Sequence, residues 1–144
     1  MSAIPASLID WIVFNQARAE LGSDFVRILG YFREDGVKSL DAIEAAMRAK
    51  NAAALVRPAH TLKGEARQFG AEPLGDLSEV IEMTARRCVE LQQTPDELIP
   101  EVVKLRPLFD ATLEIFDRET NPLVQRRPGQ AGGFGRRAVF GRAG

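Results

Sequence analysis

His60 is the only histidine of the chain, and the residues that follow it at helical spacing could support one kind of chemistry. On a helix, Lys63, Gly64 and Arg67 would share its face. Neutral imidazole is a nitrogen nucleophile near neutral pH, and we expect the two cations to favour the neutral ring and to pair with phosphoryl oxygens. A glycine at position 64 would let the surface of a partner come close. The spacing suits phosphoryl transfer through His60, although solvated helix faces commonly carry the same residue types.

The composition excludes several other kinds of site. Cys88 is the single cysteine, so no intramolecular disulfide can form, and a cysteine-rich or multi-histidine metal site is excluded as well. We interpret Asp76 and Glu79 as solvated charges of a helix face rather than as a catalytic pair. The longest apolar run, 52–56, is far shorter than the roughly 20 residues of a bilayer helix, and the first residues do not resemble a secretory signal. We therefore expect a cytoplasmic protein without a membrane span.

Charge is distributed unevenly along the 144 residues. Residues 1–119 carry 14 basic and 20 acidic residues, a net charge of −6, whereas the remaining residues carry five arginines and no acid. The arginine-rich end also holds six of the twelve glycines, a composition that cannot bury enough apolar surface to offset its ordering entropy. We therefore expect a helical domain over 1–119 and a disordered tail over 120–144. The tail is either a solvated end or a contact for nucleic acid, lipid or an acidic protein.

Hydrophobic residues recur at spacings of three and four, which predicts helices throughout the domain. The predicted helices are a short one near 6–21, then one from an N-cap at Ser23 to Met47, Asn51–Phe69, Pro73 to about 92, and one that follows a capping segment at Thr94–Glu97. Helices of this length joined by short loops pack antiparallel. We expect an all-α fold, an antiparallel four-helix bundle of two helical hairpins with the short N-terminal helix capping it.

Each long helix has a predicted stripe of core residues. Two glycines and two prolines are also predicted to affect the packing, ends or straightness of the helices. The stripes are Phe25, Leu29, Phe32, Gly36, Leu40, Ile43 and Met47; Leu55, Ala59, Leu62, Ala66 and Phe69; Leu74, Leu77, Ile81, Thr84, Cys88 and Leu91; and Leu98, Val102, Leu105, Phe109, Leu113 and Phe116. Gly36 suggests close packing, and Gly70 suits a left-handed residue after its helix. Pro58 should bend the third helix and Pro107 should kink or split the fifth.

The segment Ala59-His60-Thr61-Leu62-Lys63-Gly64, followed by Phe69-Gly70-Ala71, resembles the signature of histidine-containing phosphotransfer domains. The resemblance extends over about residues 8–117. It implies a four-helix bundle that relays phosphoryl groups and has no ATP site of its own. It also implies that His60 is the phosphoacceptor, through Nε2, that Lys63 steadies the phosphate and that Gly64 admits the partner.

The resemblance implies receiver domains of response regulators as partners, with a hybrid histidine kinase as a further candidate. Such a receiver would bring the Mg²⁺, so we expect no cofactor or metal on this chain. We place Arg67, Trp11 and Ile12 at the docking surface as a hypothesis, and we expect a monomer.

Three other interpretations stay open at this point. A dimerising histidine-kinase helical domain also carries a phosphorylated histidine, although such domains usually follow it with an acid rather than with Thr61. A helical module could dock response regulators without being phosphorylated. The basic tail could bind nucleic acid, which we consider the weaker alternative.

Overall fold

The computed structural model describes residues 7–121, where all regular secondary structure is helical and there is no strand. Its α-helices are α1 (Trp11–Leu21), α2 (Phe25–Arg48), α3 (Ala52–Gln68), α4 (Glu72–Glu90) and α5 (Ile99–Thr120). The order confirms the all-α class, and α2 to α5 are the four long helices of the predicted bundle. The predicted tail lies outside the described residues, except that Thr120 ends α5 and Asn121 follows it. Within 7–121, no helix has the length and apolar character needed to cross a membrane.

The chain divides into two compact units, Met1–Thr112 and Leu113–Gly144, with the boundary inside α5. In the second unit the described residues are the last turns of α5, where Leu113 and Phe116 are buried. The hydroxyl of Thr120 donates to the carbonyl of Phe116 at 2.9 Å, which satisfies one acceptor near the end of the helix. The site described below lies wholly within the first unit.

Polar side chains and one glycine fix the ends of the helices in the first unit. A carboxylate oxygen of Asp10 accepts from the backbone N–H groups of Ile12 and Val13, at 3.0 and 3.3 Å, and starts α1. The side chain of Asn51 does the same for α3 by accepting from Ala54 N–H at 3.1 Å. Gly70 has φ +80, so the prediction of a left-handed residue after α3 is confirmed.

Three predicted helix starts are wrong. The first helix begins at Trp11 rather than near residue 6, because the side chain of Asp10 caps it there.

The other two starts each have a local reason as well. A 3₁₀ turn, Gly22–Asp24, connects α1 to α2, so Ser23 lies inside that turn and is not an N-cap. A second 3₁₀ turn, Asp96–Leu98, delays the start of α5 to Ile99. The predicted capping-box residue of that segment, Glu97, instead binds Arg87 of α4 at 2.6 Å.

Pro107 does not split α5, which continues as one helix from Ile99 to Thr120. A proline removes only one backbone donor, and buried side chains on both sides of it anchor the helix. Leu105, Leu108 and Phe109 are all at most 7% exposed.

The core confirms the predicted stripe of α3, whose five residues are all at most 1% exposed. The stripe of α2 is also buried, except that Met47 is only half-buried. Gly36 of α2 faces the ring of Phe109, and a Cβ placed at Gly36 would overlap that ring. Close packing at Gly36 is therefore confirmed.

The predicted stripe of α4 is wrong in part. Leu77 and Thr84 are half-buried and Leu91 is exposed, whereas Ser78 and Ala85 are fully buried. Ser78 can lie in the core because its hydroxyl donates to the carbonyl of Leu74 at 2.8 Å. In α5, Val102 is also only half-buried.

Candidate functional site

The imidazole of His60 is exposed on α3, and one of its nitrogens meets a carboxylate of the neighbouring helix. The side chain is 61% exposed, while the adjacent core residues Ala59 and Leu62 are fully buried. His60 Nδ1 lies 3.0 Å from Oε2 of Glu82 on α4. The imidazole is thus accessible from solvent and held in place from below by a hydrogen bond.

Glu82 is a buried carboxylate, with its side chain 3% exposed, and three basic side chains converge on it. Arg86 Nε and Nη2 donate to Oε2 at 3.1 and 2.9 Å, and Lys63 Nζ lies 2.8 Å from Oε1. Burial alone would raise the pKa of Glu82, but the contacts from Lys63, Arg86 and His60 outweigh it and lower the pKa to about 2. Glu82 is therefore ionised at neutral pH.

The ionised carboxylate decides which tautomer His60 adopts. An ionised carboxylate can only accept hydrogen bonds. The neutral imidazole therefore carries its proton on Nδ1, and this N–H group donates a hydrogen bond to Glu82. The lone pair is then on Nε2. Attack by Nε2 on an electrophile would place positive charge on the ring, and Glu82 lies where it would stabilise that charge.

Both cations on the His60 face are paired with carboxylates of α4. The prediction that they surround the imidazole with uncompensated positive charge is therefore wrong. Lys63 is paired with Glu82, and Arg67 lies about two helical turns beyond His60 in a separate cluster. Arg67 Nη2 contacts Asp76 at 2.9 Å and Glu79 at 2.6 Å. These two acids therefore anchor α4 to α3 through Arg67 and are not merely solvated charges.

Gly75 explains how Arg67 reaches those acids. A Cβ at Gly75 would lie 2.8 Å from Cγ of Arg67, so the glycine leaves the room in which the arginine side chain crosses α4. Arg67 keeps 35% exposure but its charge is matched within the protein. In the free protein it belongs to the α3–α4 contact, and its predicted place at a docking surface stays a hypothesis.

The other predicted docking residues are exposed. A Cβ at Gly64 would meet nothing within 4 Å, and Ile12 and Trp11 are 73% and 39% exposed. The start of α1 is tied to the end of α3, because Asp10 N–H donates to the carbonyl of Gly70 at 2.7 Å. The structure thus brings Lys63 to His60, leaves Gly64 open on the same helix, and places Trp11 and Ile12 on the helix that meets the far end of α3.

Sequence reasoning missed Glu82 and Arg86. Their i, i+4 spacing on a predicted helix is a weak signal for an ion pair, but such pairs are usually exposed. Burial of the pair beneath His60 depends on the register between α3 and α4, which hydrophobic periodicity does not give. In the described part of the chain, no group of three or more histidine, cysteine or acidic side chains is arranged to hold a metal.

Comparisons with known proteins agree with this arrangement. The family model of the Hpt domain matches residues 27–114. Among solved structures, the chain is similar to histidine-containing phosphotransfer protein B (HptB) from Pseudomonas aeruginosa PAO1, with 25% sequence identity and a TM-score of 0.70. The match covers 85% of this chain and 99% of that chain. A comparison with curated proteins found no match. The family match spans more than half of the sequence, so the chain belongs to the Hpt domain family and is a histidine phosphotransfer protein of a phosphorelay.

Proposed function

We propose that His60 is the phosphoacceptor, receiving a phosphoryl group from the aspartate of one receiver domain and passing it to another. The observation that carries the proposal is the 3.0 Å contact between Nδ1 of the exposed imidazole and Glu82, a buried carboxylate that is ionised at neutral pH. This contact leaves Nε2 as the nucleophilic nitrogen of an accessible ring.

The proposed phosphoryl transfer has two reactants, the imidazole of His60 and the aspartyl phosphate of the receiver. The lone pair of His60 Nε2 attacks the phosphorus of the aspartyl phosphate, and the N–P bond forms as the P–O bond to the aspartate breaks. The aspartate leaves as a carboxylate with the electron pair. The imidazole keeps its Nδ1 proton and becomes cationic, and the charge is stabilised by Glu82. The reverse reaction delivers the phosphoryl group to the next aspartate.

Lys63 has two tasks in this proposal. Its ammonium group helps to keep Glu82 ionised, because Nζ lies 2.8 Å from Oε1 of that carboxylate. The same carboxylate bridges Lys63 to His60, so the ammonium is close enough to add positive charge near the arriving phosphoryl oxygens. Phosphoryl transfer depends mostly on such positioning and charge neutralisation.

The partner supplies the rest of the apparatus in this proposal. The receiver brings the Mg²⁺ and the phosphorylated aspartate, while this chain uses no cofactor or ATP and acts as a cytoplasmic, monomeric carrier. Docking takes place over the open surface at Gly64, with Trp11 and Ile12 as hypothetical contacts.

Incubation with phosphorylated receiver domains tests the proposal. We expect wild type to acquire an acid-labile, base-stable phosphate and His60→Gln to acquire none, because the variant lacks the nucleophilic nitrogen. Lys38→Ala, which removes an exposed charge from α2, is the control and should be labelled like wild type. Label on His60→Gln would contradict the assignment. Receivers that bind both proteins without labelling either would indicate a docking module instead.

A further inference from the structure

A groove opens beside His60, and two arginine side chains are among its lining residues. Its volume is about 370 Å³, and its lining residues are Val56, Arg57, His60, Thr61 and Arg86. Two of these five side chains are guanidinium groups, one is a hydroxyl, and none is acidic. Most of the exposed lining of the groove is apolar, so an anion there would have to be bound by the guanidinium groups.

The two arginines of the groove differ in what already binds them. Arg86 donates hydrogen bonds from Nε and one Nη to the carboxylate of Glu82. Arg57 is exposed, and none of the residues described in 7–121 forms an ion pair or side-chain hydrogen bond with it. Arg67 on the same helix differs from Arg57, because it forms ion pairs with two carboxylates of α4. As far as residues 7–121 are concerned, the N–H donors of Arg57 are therefore available to a ligand.

The position of Arg57 relative to His60 follows from the helix. Residues three apart on a helix are neighbours on its surface, so Arg57 lies one turn before His60 on the same face. A guanidinium presents a planar fork of donors that matches two oxygens of a phosphoryl group. Lys63 and Arg86 both bind the carboxylate of Glu82, so neither offers an unpaired guanidinium to a phosphoryl group.

We propose that Arg57 is a phosphoryl-binding residue, which holds the oxygens of the phosphoryl group carried on Nε2 of His60 within this groove. The inference rests on the proposed role of His60 as phosphoacceptor. Arg57 makes and breaks no covalent bond in this role. It favours the phosphorylated state of this protein over that of the receiver, and Thr61 offers a further hydroxyl donor.

The test uses a phosphoryl donor that needs no receiver. Wild type, Arg57→Ala, Arg57→Lys and Lys38→Ala are phosphorylated with phosphoramidate, and the phosphohistidine is followed by ³¹P NMR as a function of pH. A bound guanidinium favours the dianionic phosphoryl group, so we expect Arg57→Ala to titrate at a pH about 0.5 to 1 higher than wild type. Arg57→Lys should keep part of the effect, and Lys38→Ala should match wild type.

A second measurement uses the reversible reaction. With a phosphorylated receiver, we expect the equilibrium ratio of phosphorylated to free protein to fall about tenfold in Arg57→Ala, the effect of one lost charge-assisted hydrogen bond. An NMR titration and an equilibrium ratio that both match wild type would overturn the role of Arg57 alone. Failure of phosphoramidate to label His60 in wild type would overturn the phosphoacceptor proposal together with it.

Discussion

At the scale of single residues, Glu82 is the side chain that holds the imidazole of His60, the proposed phosphoacceptor, in place. A buried, unpaired carboxylate would be strongly destabilising, and this one is tolerated because Lys63, Arg86 and His60 surround it. The same contacts fix the imidazole tautomer. Stability and function thus depend on one carboxylate, which lets a stability measurement test the environment of the site.

Glu82→Gln should remove a distinct part of the acid sensitivity of the fold. The folded-state pKa of Glu82 is lowered from 4.5 to about 2, so the unfolded state takes up the proton first as the pH falls. The stabilisation is complete above pH 4.5 and is lost between about pH 4.5 and 2, with an upper magnitude of about 3 kcal/mol. The measurement is the free energy of unfolding by urea across this pH range.

Glu90→Gln, an exposed change on the same helix, is the control and should follow the wild-type curve. The variant Glu82→Gln should lose less stability than wild type on acidification. Identical pH dependence for Glu82→Gln and wild type would show that the buried carboxylate is not ionised as the contacts indicate.

At the scale of helices, two kinds of contact position the site. Ion pairs join α3 to α4, through Lys63 to Glu82 and through Arg67 to Asp76 and Glu79. Aromatic packing joins α2 to α3 and to the first part of α5, with the ring of Phe32 5.6 Å from that of Phe69 and 5.8 Å from that of Phe109. The helix that carries His60 is therefore held on both sides.

Gly36→Ala should destabilise the protein although alanine is the better helix former. A Cβ at Gly36 would overlap the Phe109 ring, and overpacking of this kind costs roughly 1–3 kcal/mol, against a gain of about 1 kcal/mol in helix propensity. Gly30→Ala, in the same helix, is the matched control, since a Cβ there would meet nothing within 4 Å. We expect Gly30→Ala to raise the midpoint of thermal unfolding and Gly36→Ala to lower it. A rise in both variants would show that Phe109 can move aside at little cost.

How much could be predicted from the sequence differs from helix to helix. The core of α3 could be predicted except for Ala52 in its first turn, because its buried residues are apolar and evenly spaced. The core of α4 could not, since Ser78 and Glu82 are buried with partners that hydrophobicity does not reveal. The start of α5 was predicted too early, since a 3₁₀ turn precedes it and Glu97 pairs with Arg87 rather than forming a capping box. His60 and Lys63 could be found by their spacing, but Glu82 required the packing of two helices.

At the scale of the whole molecule, the protein is one component of a relay, and its accessible surface decides which partners it meets. The exposed ring of His60 and the open backbone at Gly64 lie one turn apart on α3. In the proposed function a receiver brings its aspartyl phosphate to Nε2 of His60, so we expect its surface to approach the backbone of α3 closely. Residues that protrude beside His60 would prevent this approach without changing the nucleophile.

Gly64→Glu should therefore block docking and leave the fold intact. A Cβ at Gly64 meets no neighbouring side chain within 4 Å, but a glutamate there projects bulk and negative charge into the surface proposed to face a receiver. We expect receiver binding, measured by calorimetry, to weaken at least about tenfold, the effect of losing roughly 1.4 kcal/mol. Gly64→Ala, which adds a single methyl group, should bind nearly as wild type does.

Chemical phosphorylation separates a docking defect from a damaged nucleophile. Phosphoramidate is small enough to reach Nε2 without displacing the side chain introduced by Gly64→Glu, so this variant should still be labelled at His60 at close to the wild-type rate. Loss of receiver transfer with retained chemical labelling would assign Gly64 to the interface. Undiminished receiver transfer by Gly64→Glu would contradict the placement of Gly64 at the docking surface.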